Sequence, residues 1–278
     1  MKDTTKISLA ILLVCAVIFL AVSWRMGSST SNEQSQKVSK KKILVRTLEP
    51  KTVSADLNNL STQKNCDENV TPETMFVYLF DVSGSFNNRK ANSPYVLGID
   101  LFRKVLLALN DFPIPREHRV GTISSDSFHN RDGFICKIRD HRGIFKEGCS
   151  SEPISNQIQQ CQLTLRRQEV STTTDISGAL DFASRTMQTS GLLVKGIIMF
   201  TDLEEDLGNL AASQPNLKGL CVLAYVNYPV NRTSNNQQRL EADWERKLRS
   251  FNAKDFRIQH FEQFSSVEIK RFFTNCAS

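Results

Sequence analysis

The sequence predicts an α/β fold in which a mainly parallel sheet is flanked by helices. From residue 75 onward, short apolar runs alternate with segments whose apolar residues recur at helical spacing, and this alternation continues for about 200 residues. The first run, MFVYLF at residues 75–80, is apolar throughout. Such a run is typical of a strand that is buried on both faces, as in a parallel sheet covered by helices.

The elements after this strand are predicted in a regular order. A helix over residues 93–112 has proline near its start, where proline is tolerated, and a helix over 173–187 begins with threonine and aspartate, which cap helix N-termini. The other elements are strands over 118–128, 194–202, 217–226 and 255–261 and helices over 235–251 and 265–276. Residues 129–170 are predicted to be irregular, with short elements such as FICKI, and either determine partner specificity or fill a loop.

Four segments divide the chain. Residues 1–6 form a short N-terminal tail, and residues 7–24 contain no charged side chain. The length of this apolar segment is near the lower limit for a transmembrane helix and long for a signal-peptide core, so we expect a transmembrane anchor. A signal peptide with a small-residue cleavage site at residues 21–23 is the alternative. Residues 25–71 are predicted to form a flexible basic stalk, and residues 72–278 the globular domain.

The positive charge of the chain lies at its N-terminal end. Residues 1–46 contain eight lysine and arginine residues against Asp3 and Glu33, which gives the same net charge of +6 as the whole chain. The remaining residues are therefore neutral overall. A neutral domain lacks the basic surface that nucleic-acid binding requires, so no nucleic-acid partner is expected. Beside an apolar segment, the basic residues are expected to meet anionic lipid headgroups.

Six cysteines lie outside the apolar segment, and they bear on which side of the membrane the domain faces. They are Cys66, Cys136, Cys149, Cys161, Cys221 and Cys276. Positive charges on both sides of residues 7–24 leave the orientation open. An even number of dispersed cysteines is compatible with disulfides, which persist in exported domains. We therefore expect a single-pass membrane protein whose domain faces the periplasmic or extracellular side; buried free thiols are the alternative.

Oxygen-bearing side chains follow the predicted strands at the points where these strands end. In the stretch YLFDVSGSFNN, Asp81, Ser83 and Ser85 stand at alternate positions directly after the first strand. Asp202 follows the apolar run KGIIMFT, and a threonine of the stretch STTTD opens the preceding helix. Since the carboxyl ends of parallel strands meet at one edge of the sheet, we expect these groups to converge there.

This set of groups suits a hard divalent cation. Hydroxyl and carboxylate oxygens are ligands of Mg²⁺, which demands near-octahedral geometry and keeps several waters. Two carboxylates nearly neutralise the ion, whereas the hydroxyls add no charge. The ion would remain electrophilic and accept a further carboxylate from an aspartate or glutamate of another protein. The alternative is that Asp81, Ser83 and Ser85 only cap the next helix and form a turn.

These residues resemble a known family. The DVSGS stretch is similar to the Asp-x-Ser-x-Ser motif of von Willebrand factor A (VWA) domains, whose metal-ion-dependent adhesion site (MIDAS) holds Mg²⁺ or Mn²⁺. TDISGAL resembles the family's Thr-x-x-Gly-x-Ala-Leu region, and FTD resembles its third loop. The resemblance covers roughly residues 72–276. It implies a Rossmann-like, doubly wound sheet with Mg²⁺ or Mn²⁺ as cofactor, held by Asp81, Ser83, Ser85, Thr174 and Asp202.

The third loop departs from the family pattern. This loop commonly reads Thr-Asp-Gly, but Leu203 stands in place of the glycine and is followed by Glu204, Glu205 and Asp206. We interpret the added acids as the start of the next helix, where carboxylates favour the N-terminus. A second cation site and repulsion of acidic ligands are the alternatives. Asp175 is likewise predicted to be an N-terminal helix carboxylate rather than a ligand.

The resemblance also bears on the cysteines. Domain termini often lie close together, and some members of the family join theirs by a disulfide, which implies a Cys66–Cys276 bond in this chain. Cys221 lies in an apolar run and is predicted to be a buried free thiol. The spacing of the three cysteines between residues 136 and 161 is not that of common zinc sites, so we expect two of them to pair; unpaired thiols are the alternative.

Together these features predict a membrane-anchored, divalent-metal-dependent protein-binding module that acts in adhesion or in assembly of a multiprotein complex. Its protein partner would present an acidic residue to the metal. We expect no enzyme activity, because DVSGS lacks the second carboxylate of the Asp-x-Asp phosphatase motif and neither a Gly-x-Ser-x-Gly elbow nor a phosphate-binding Gly-x-x-x-x-Gly-Lys-Ser/Thr loop occurs. The alternatives are a metal-dependent hydrolase or phosphatase, and a scaffold with a vestigial metal site.

Overall fold

The structure, a computed structural model, describes residues 72–88, 90–112, 116–125, 133–140, 153–188, 191–208 and 211–277 of the 278-residue chain. These residues belong to a structural unit that spans Leu60–Ser278. The predicted anchor, the predicted stalk and Cys66 lie outside the described residues. Within the described ranges, no helix is both long and apolar enough to cross a bilayer.

A six-stranded sheet forms the centre of the described domain. Its strands are β1 (Thr74–Asp81), β2 (Arg116–Ile123), β3 (Cys136–Asp140), β4 (Val194–Thr201), β5 (Cys221–Val226) and β6 (Asp255–His260). Their spatial order is β3-β2-β1-β4-β5-β6, and every neighbouring pair is parallel except β2 with β3. The predicted α/β class with a mainly parallel sheet is therefore confirmed, with β3 as an antiparallel edge strand.

Helices cover both faces of this sheet. The α-helices of the described residues are α1 (Pro94–Ala108), α2 (Ile154–Arg166), α3 (Ile176–Gln188), α4 (Ser234–Ser250) and α5 (Ser266–Ala277). Short 3-10 helices follow α1 at Leu109–Asp111 and β6 at Phe261–Gln263. The helices α1, α2 and α5 contribute to the apolar core on one face, and α3 and α4 to the core on the other.

The first strand shows why its sequence is apolar throughout. Successive side chains of a strand point to opposite faces. The even-numbered side chains from Phe76 to Phe80 lie in the core that contains α1, and the odd-numbered ones from Met75 to Leu79 lie in the core that contains α3. Both faces of β1 are therefore buried, as the sequence predicts.

The start of α1 fixes the loop that carries the first candidate ligands. The Ser93 hydroxyl accepts a hydrogen bond from the Val96 N–H at 3.3 Å, and Pro94 occupies the first turn, where no intrahelical bond is lost. The Tyr95 N–H donates to the Phe86 carbonyl at 3.2 Å. The loop between β1 and α1 is thus tied to the helix it precedes.

Several elements differ from the prediction; for example, β2 ends at Ile123 rather than at residue 128, and α1 ends at Ala108 rather than at residue 112. Helix α2 lies in the segment that was predicted to be irregular. The prediction missed this helix because only Ile158, Cys161 and Leu165 of its residues are buried and the rest are largely polar. Their spacing of three and four residues is helical, so a signal was present but weak. Strand β5 begins at Cys221 rather than at residue 217, because Gly219 has φ of 78°, in the left-handed region that interrupts an extended chain.

Candidate metal site

Asp81 lies at the carboxyl end of β1, where the strand passes into the loop that carries the two serines. Its side chain is fully buried. Its Oδ1 accepts a hydrogen bond from the Ser83 N–H at 2.9 Å, and its Oδ2 accepts one from the Thr201 hydroxyl at 2.8 Å. Since Thr201 is the last residue of β4, these bonds hold the Asp81 carboxylate between the ends of two neighbouring strands.

Ser83 and Ser85 place their hydroxyl groups side by side. The two hydroxyl oxygens are 3.2 Å apart, and Ser83 is buried whereas Ser85 is exposed. The Ser171 N–H donates to the Val82 carbonyl at 2.8 Å, which brings the segment before α3 next to this loop. The serine pair therefore lies between the buried Asp81 carboxylate and the surface of the domain.

Asp202 follows β4 and is fully buried. Its Oδ1 accepts a hydrogen bond from the Glu204 N–H at 3.0 Å. Its Oδ2 is buried and has no hydrogen-bond partner among the described residues. Buried carboxylate oxygens are nearly always satisfied, so this atom indicates a ligand that the side chains around it do not supply.

The electrostatics of the two aspartates reflect an excess of buried negative charge. Burial, followed by the charge of Asp202, raises the pKa of Asp81 to about 7, although hydrogen bonds from Ser83 and Thr201 act in the opposite direction. Burial also raises the pKa of Asp202, and so does the charge of Glu204, whereas the Glu204 N–H, the Ser85 hydroxyl and the charge of Arg232 lower it. A cation between the two groups would favour their ionised forms.

Thr174 lies where the segment before α3 meets the loop after β4. The Thr174 N–H donates to the Asp206 carbonyl at 2.8 Å, and the Asp206 N–H donates to the Thr174 carbonyl at 3.0 Å. Thr174 is buried. The predicted ligand residues thus lie on three loops that contact one another at the carboxyl ends of β1 and β4.

The residue after Asp202 has an unusual backbone conformation. Leu203 has φ of 60°, in the left-handed region that glycine favours, and its side chain is fully buried. Its N–H donates to the Thr201 hydroxyl at 2.9 Å, and its carbonyl accepts from the Trp244 indole N–H at 2.8 Å. Local hydrogen bonds and burial therefore hold a leucine where the family pattern has glycine.

The acids of the third loop do not begin a helix, and the interpretation that they do is wrong. The Glu205 Oε1 accepts from the Ser177 N–H at 2.7 Å, and its Oε2 accepts from the Lys247 Nζ at 2.6 Å. Glu204 forms an ion pair with Arg232. Glu205 therefore caps the N-terminus of α3, a helix that precedes it in the chain, and links that helix to α4.

Asp175 caps the same helix, as predicted. Its Oδ1 accepts a hydrogen bond from the Gly178 N–H at 2.7 Å. A Cβ atom at position 178 would lie 1.9 Å from the Asp175 Oδ2, so only glycine leaves room for this cap. Asp175 therefore serves the helix start.

Sequence reasoning missed Thr201, which hydrogen-bonds the Asp81 carboxylate. The signal was its position as the last strand residue, directly before Asp202. It also missed Glu205 as a cap, because that role depends on a contact with Ser177, which lies 28 residues away in sequence.

Two disulfides lie within the described domain. Cys136 on β3 bonds Cys161 on α2, with Cα atoms 5.7 Å apart, which confirms that two of the three central cysteines pair. Cys221 bonds Cys276, with Cα atoms 6.1 Å apart. The predicted Cys66–Cys276 bond is therefore wrong, and so is the prediction that Cys221 is a free thiol. The start of β5 and the end of α5 lie within the distance that a disulfide spans.

No protein-family model and no curated protein matches this sequence. Similar solved structures include a von Willebrand factor type A protein from Catenulispora acidiphila, with 12% identity, 74% of this chain and 42% of that chain covered, and a TM-score of 0.37. The PilB minor pilin from Streptococcus sanguinis has 11% identity, coverage of 75% and 61%, and a TM-score of 0.42.

A third similar structure is the manganese-loaded TRAP protein of Plasmodium vivax, with 14% identity, 72% of this chain and 74% of that chain covered, and a TM-score of 0.38. The chain spans less than two thirds of the Catenulispora protein and of the pilin. The site itself, rather than these distant similarities, indicates the function.

Proposed function

We propose that the chain is a protein-binding module that requires a divalent cation, Mg²⁺ or Mn²⁺, and that acts in adhesion or in assembly of a multiprotein complex. The ligand oxygens come from Asp81, Ser83, Ser85, Thr174 and Asp202. The observation that carries this proposal is the buried Asp202 Oδ2 atom, which has no partner among the described residues and lies beside a second buried carboxylate. A cation there satisfies this oxygen and offsets the repulsion between the two carboxylates.

The donor set fits a hard cation. Two carboxylates and three hydroxyls are oxygen ligands of the kind that Mg²⁺ and Mn²⁺ take. In the part of the chain that the structure describes, no three His, Cys, Asp or Glu residues cluster in a way that suits a metal, so the proposed site depends on hydroxyl oxygens beside its two carboxylates. When bound, the cation would act as a Lewis acid. Because Ser85 is exposed, a carboxylate from another protein could reach the cation there and complete its coordination.

The proposed partner is a protein that presents an aspartate or glutamate side chain to the cation. Binding of this kind needs no catalytic residue. The anchor is residues 7–24, so the chain is a single-pass membrane protein under this proposal. The two disulfides favour an oxidising compartment, and hence a domain on the periplasmic or extracellular side.

Calorimetry on the full-length chain in detergent micelles tests the metal site. Wild type should bind Mg²⁺ and Mn²⁺ at one principal site, and Asp81→Ala and Asp202→Asn should abolish binding, because each removes a charged ligand. Asp206→Asn is the matched control, since Asp206 lies on the same loop and its Oδ1 accepts the Gly208 N–H at 3.0 Å, a bond that asparagine preserves. Equal metal binding by wild type and Asp202→Asn would remove the basis of the proposal.

The absence of enzyme activity is tested by a screen of phosphatase and esterase substrates with Mg²⁺. No turnover above background is expected. Turnover that disappears in Asp81→Ala would instead show a metal-dependent hydrolase.

Carbonate extraction tests the proposed anchor. The chain should remain in the membrane fraction. Recovery of a soluble mature form that starts near Trp24 would show that residues 7–24 are a cleaved signal.

A further inference from the structure

A groove of about 300 Å³ opens beside the candidate metal site, between the start of α1 and the end of α2. The residues that line it include three with apolar surface, one amide and two guanidinium groups: Tyr95, Val96, Ile99, Asn87, Arg166 and Arg167. A groove with an apolar floor and a few polar groups is the usual form of a binding site for a side chain or a small ligand.

The groove shares two loops with the metal site. On one side, the Asn87 N–H donates to the carbonyl of Ser83, a proposed metal ligand, at 2.7 Å. On the other side, Gln168 lines the groove and lies three residues before Ser171, whose N–H donates to the Val82 carbonyl. The groove and the candidate metal site are therefore built on the same two loops.

The Asn87 amide is a polar group that the fold does not use. Asn87 is 3% exposed and lines the groove. No side-chain hydrogen bond joins its amide to any residue that the structure describes. The amide atoms are not among the fully enclosed unpartnered atoms of the described residues, so they reach the groove and can bind a ligand there without breaking a bond within the fold.

Arg167 gives the groove a positive charge. Arg166 forms an ion pair with Asp100 at 3.1 Å, whereas Arg167, the residue after α2, makes no ion pair with a described residue. Glu169 is exposed and forms no ion pair with either arginine. The Tyr95 hydroxyl already donates to the Leu165 carbonyl at 2.7 Å, so the floor of the groove acts as an apolar surface.

We propose that this groove binds a second acidic side chain, an aspartate or glutamate, of the same partner protein. The Asn87 amide N–H and the Arg167 guanidinium donate to its carboxylate, and Val96 and Ile99 contact its methylene groups. This inference rests on the proposed function, because the first acidic side chain of the partner is the one at the cation. It adds that the recognised segment of the partner carries at least two acidic residues.

A hexa-aspartate peptide with a photoreactive group tests this inference, since it offers carboxylates at several spacings. The full-length chain in micelles is irradiated with increasing peptide, and mass spectrometry measures labelling of the groove walls. The labelling curve gives an apparent Kd for the groove alone, separate from any binding to the basic residues 1–46. Arg167→Gln and Asn87→Leu should each weaken this Kd by about tenfold, the effect of losing one charge-assisted hydrogen bond.

Arg239→Gln is the matched control, because Arg239 is exposed on α4 and makes no ion pair with a described residue. Its groove labelling should equal that of wild type. Asn87 is buried, so circular dichroism must show that its variant is folded; Arg167 is exposed, so its variant should fold regardless.

EDTA separates this inference from the metal proposal. Groove labelling should persist in EDTA and should still depend on Arg167, because the groove holds a carboxylate without the cation. If calorimetry shows no metal binding while this dependence remains, only the metal proposal fails. Equal labelling in Arg167→Gln and Arg239→Gln, or no more labelling than with a hexa-asparagine peptide, would overturn the groove inference whatever the metal does.

Discussion

Buried charges occur in two regions of the same sheet, and only one region balances them. At the edge, Arg116 on β2 and Asp140 on β3 form a buried ion pair, and the neighbouring Glu117 is surrounded by basic side chains. At the carboxyl ends of β1 and β4, Asp81 and Asp202 are buried, but no described lysine or arginine forms an ion pair with either carboxylate. The carboxylates at the edge have basic partners, whereas at the site Arg232, which is itself paired with Glu204, offsets the charge of Asp202 only in part.

The pKa shifts follow this difference. Burial raises the pKa of Glu117, but hydrogen bonding and charge from Arg119, with the charges of Lys137 and Arg139, outweigh it and hold the pKa below its usual value. Burial and, after it, the charge of Asp202 together raise the pKa of Asp81 to about 7. These two carboxylates thus have opposite pKa shifts, and a bound cation would provide the positive charge that Asp81 lacks.

The largest expected effect on stability comes from removing one partner of the buried Arg116–Asp140 ion pair at the edge of the sheet. Asp140→Ala leaves Arg116 buried without its counter-charge, and this should lower the free energy of unfolding by about 3–5 kcal/mol. Urea denaturation of the full-length chain measures the change. Asp243→Ala removes the partner of Arg246 in an exposed ion pair and should cost less than about 1 kcal/mol. An Asp140→Ala cost no larger than this control would show that the buried pair adds nothing.

A buried histidine at the edge of the sheet, His118 on β2, makes the stability depend on pH. Burial, aided by the charge of Arg116, lowers the pKa of His118 from 6.5 to about 3, against the charges of Asp140 and Glu117, which raise it. Its Nδ1 lies 3.0 Å from the Tyr78 hydroxyl oxygen. Below its ordinary pKa the unfolded chain binds a proton that the folded chain does not, so stability is lost as pH falls.

This contribution should cost about 1.4 kcal/mol per pH unit below 6.5, or about 2.7 kcal/mol at a pH of about 4.5. Urea denaturation at several pH values, on wild type and His118→Asn, isolates it. Asparagine keeps a polar group near the Tyr78 hydroxyl but does not titrate. The difference between the two unfolding free energies should therefore shrink or change sign as pH falls. Parallel pH profiles for both proteins would exclude a neutral buried histidine.

The next prediction is a rise in the free energy of unfolding, whereas Asp140→Ala is expected to lower it. In EDTA, Asp202→Asn removes one of two buried carboxylates that repel each other, so it should raise the free energy of unfolding by about 1–2 kcal/mol. With saturating Mg²⁺ the order should reverse, because only wild type gains the binding free energy. Thermal unfolding in both buffers measures this. A destabilised Asp202→Asn in EDTA would show that the chain itself already balances the charge.

The sheet was predictable because β1 and β4 are buried on both faces and therefore read as unbroken apolar runs. Helix α2 was not, since it buries a single narrow stripe of three residues and its glutamines and threonine resemble a loop. The partner of Cys276 was also missed. The apolar run around Cys221 shows burial but not which face of β5 meets the end of α5, and that depends on packing.

The candidate site was predictable to the extent that its groups follow strand ends. Asp81 and Asp202 needed only the rule that parallel strands end at one edge. The roles of Thr201 and Glu205 in holding the loops of this site were not predictable, because both residues act through contacts between segments far apart in sequence. Similarly, the sequence has leucine at position 203, where the resemblance leads one to expect glycine. That difference did not reveal that the backbone of Leu203 has a positive φ.

The smallest expected effect concerns that backbone. Leu203→Ala and Leu203→Gly both lose a buried side chain, and each should destabilise the domain by roughly 2–5 kcal/mol. Glycine, however, adopts positive φ without the steric cost that a Cβ carries. Leu203→Gly should therefore be more stable than Leu203→Ala by about 1 kcal/mol, the reverse of the usual order.

The same two substitutions at Leu220 provide the control, because Leu220 is also fully buried but has no positive φ. There alanine should be more stable than glycine, since glycine loses more backbone freedom on folding. Urea denaturation of the four variants in EDTA measures both differences without a contribution from the cation. If alanine is the more stable residue at both positions, the loop after Asp202 holds no backbone strain, and charge alone distinguishes the site from the edge of the sheet.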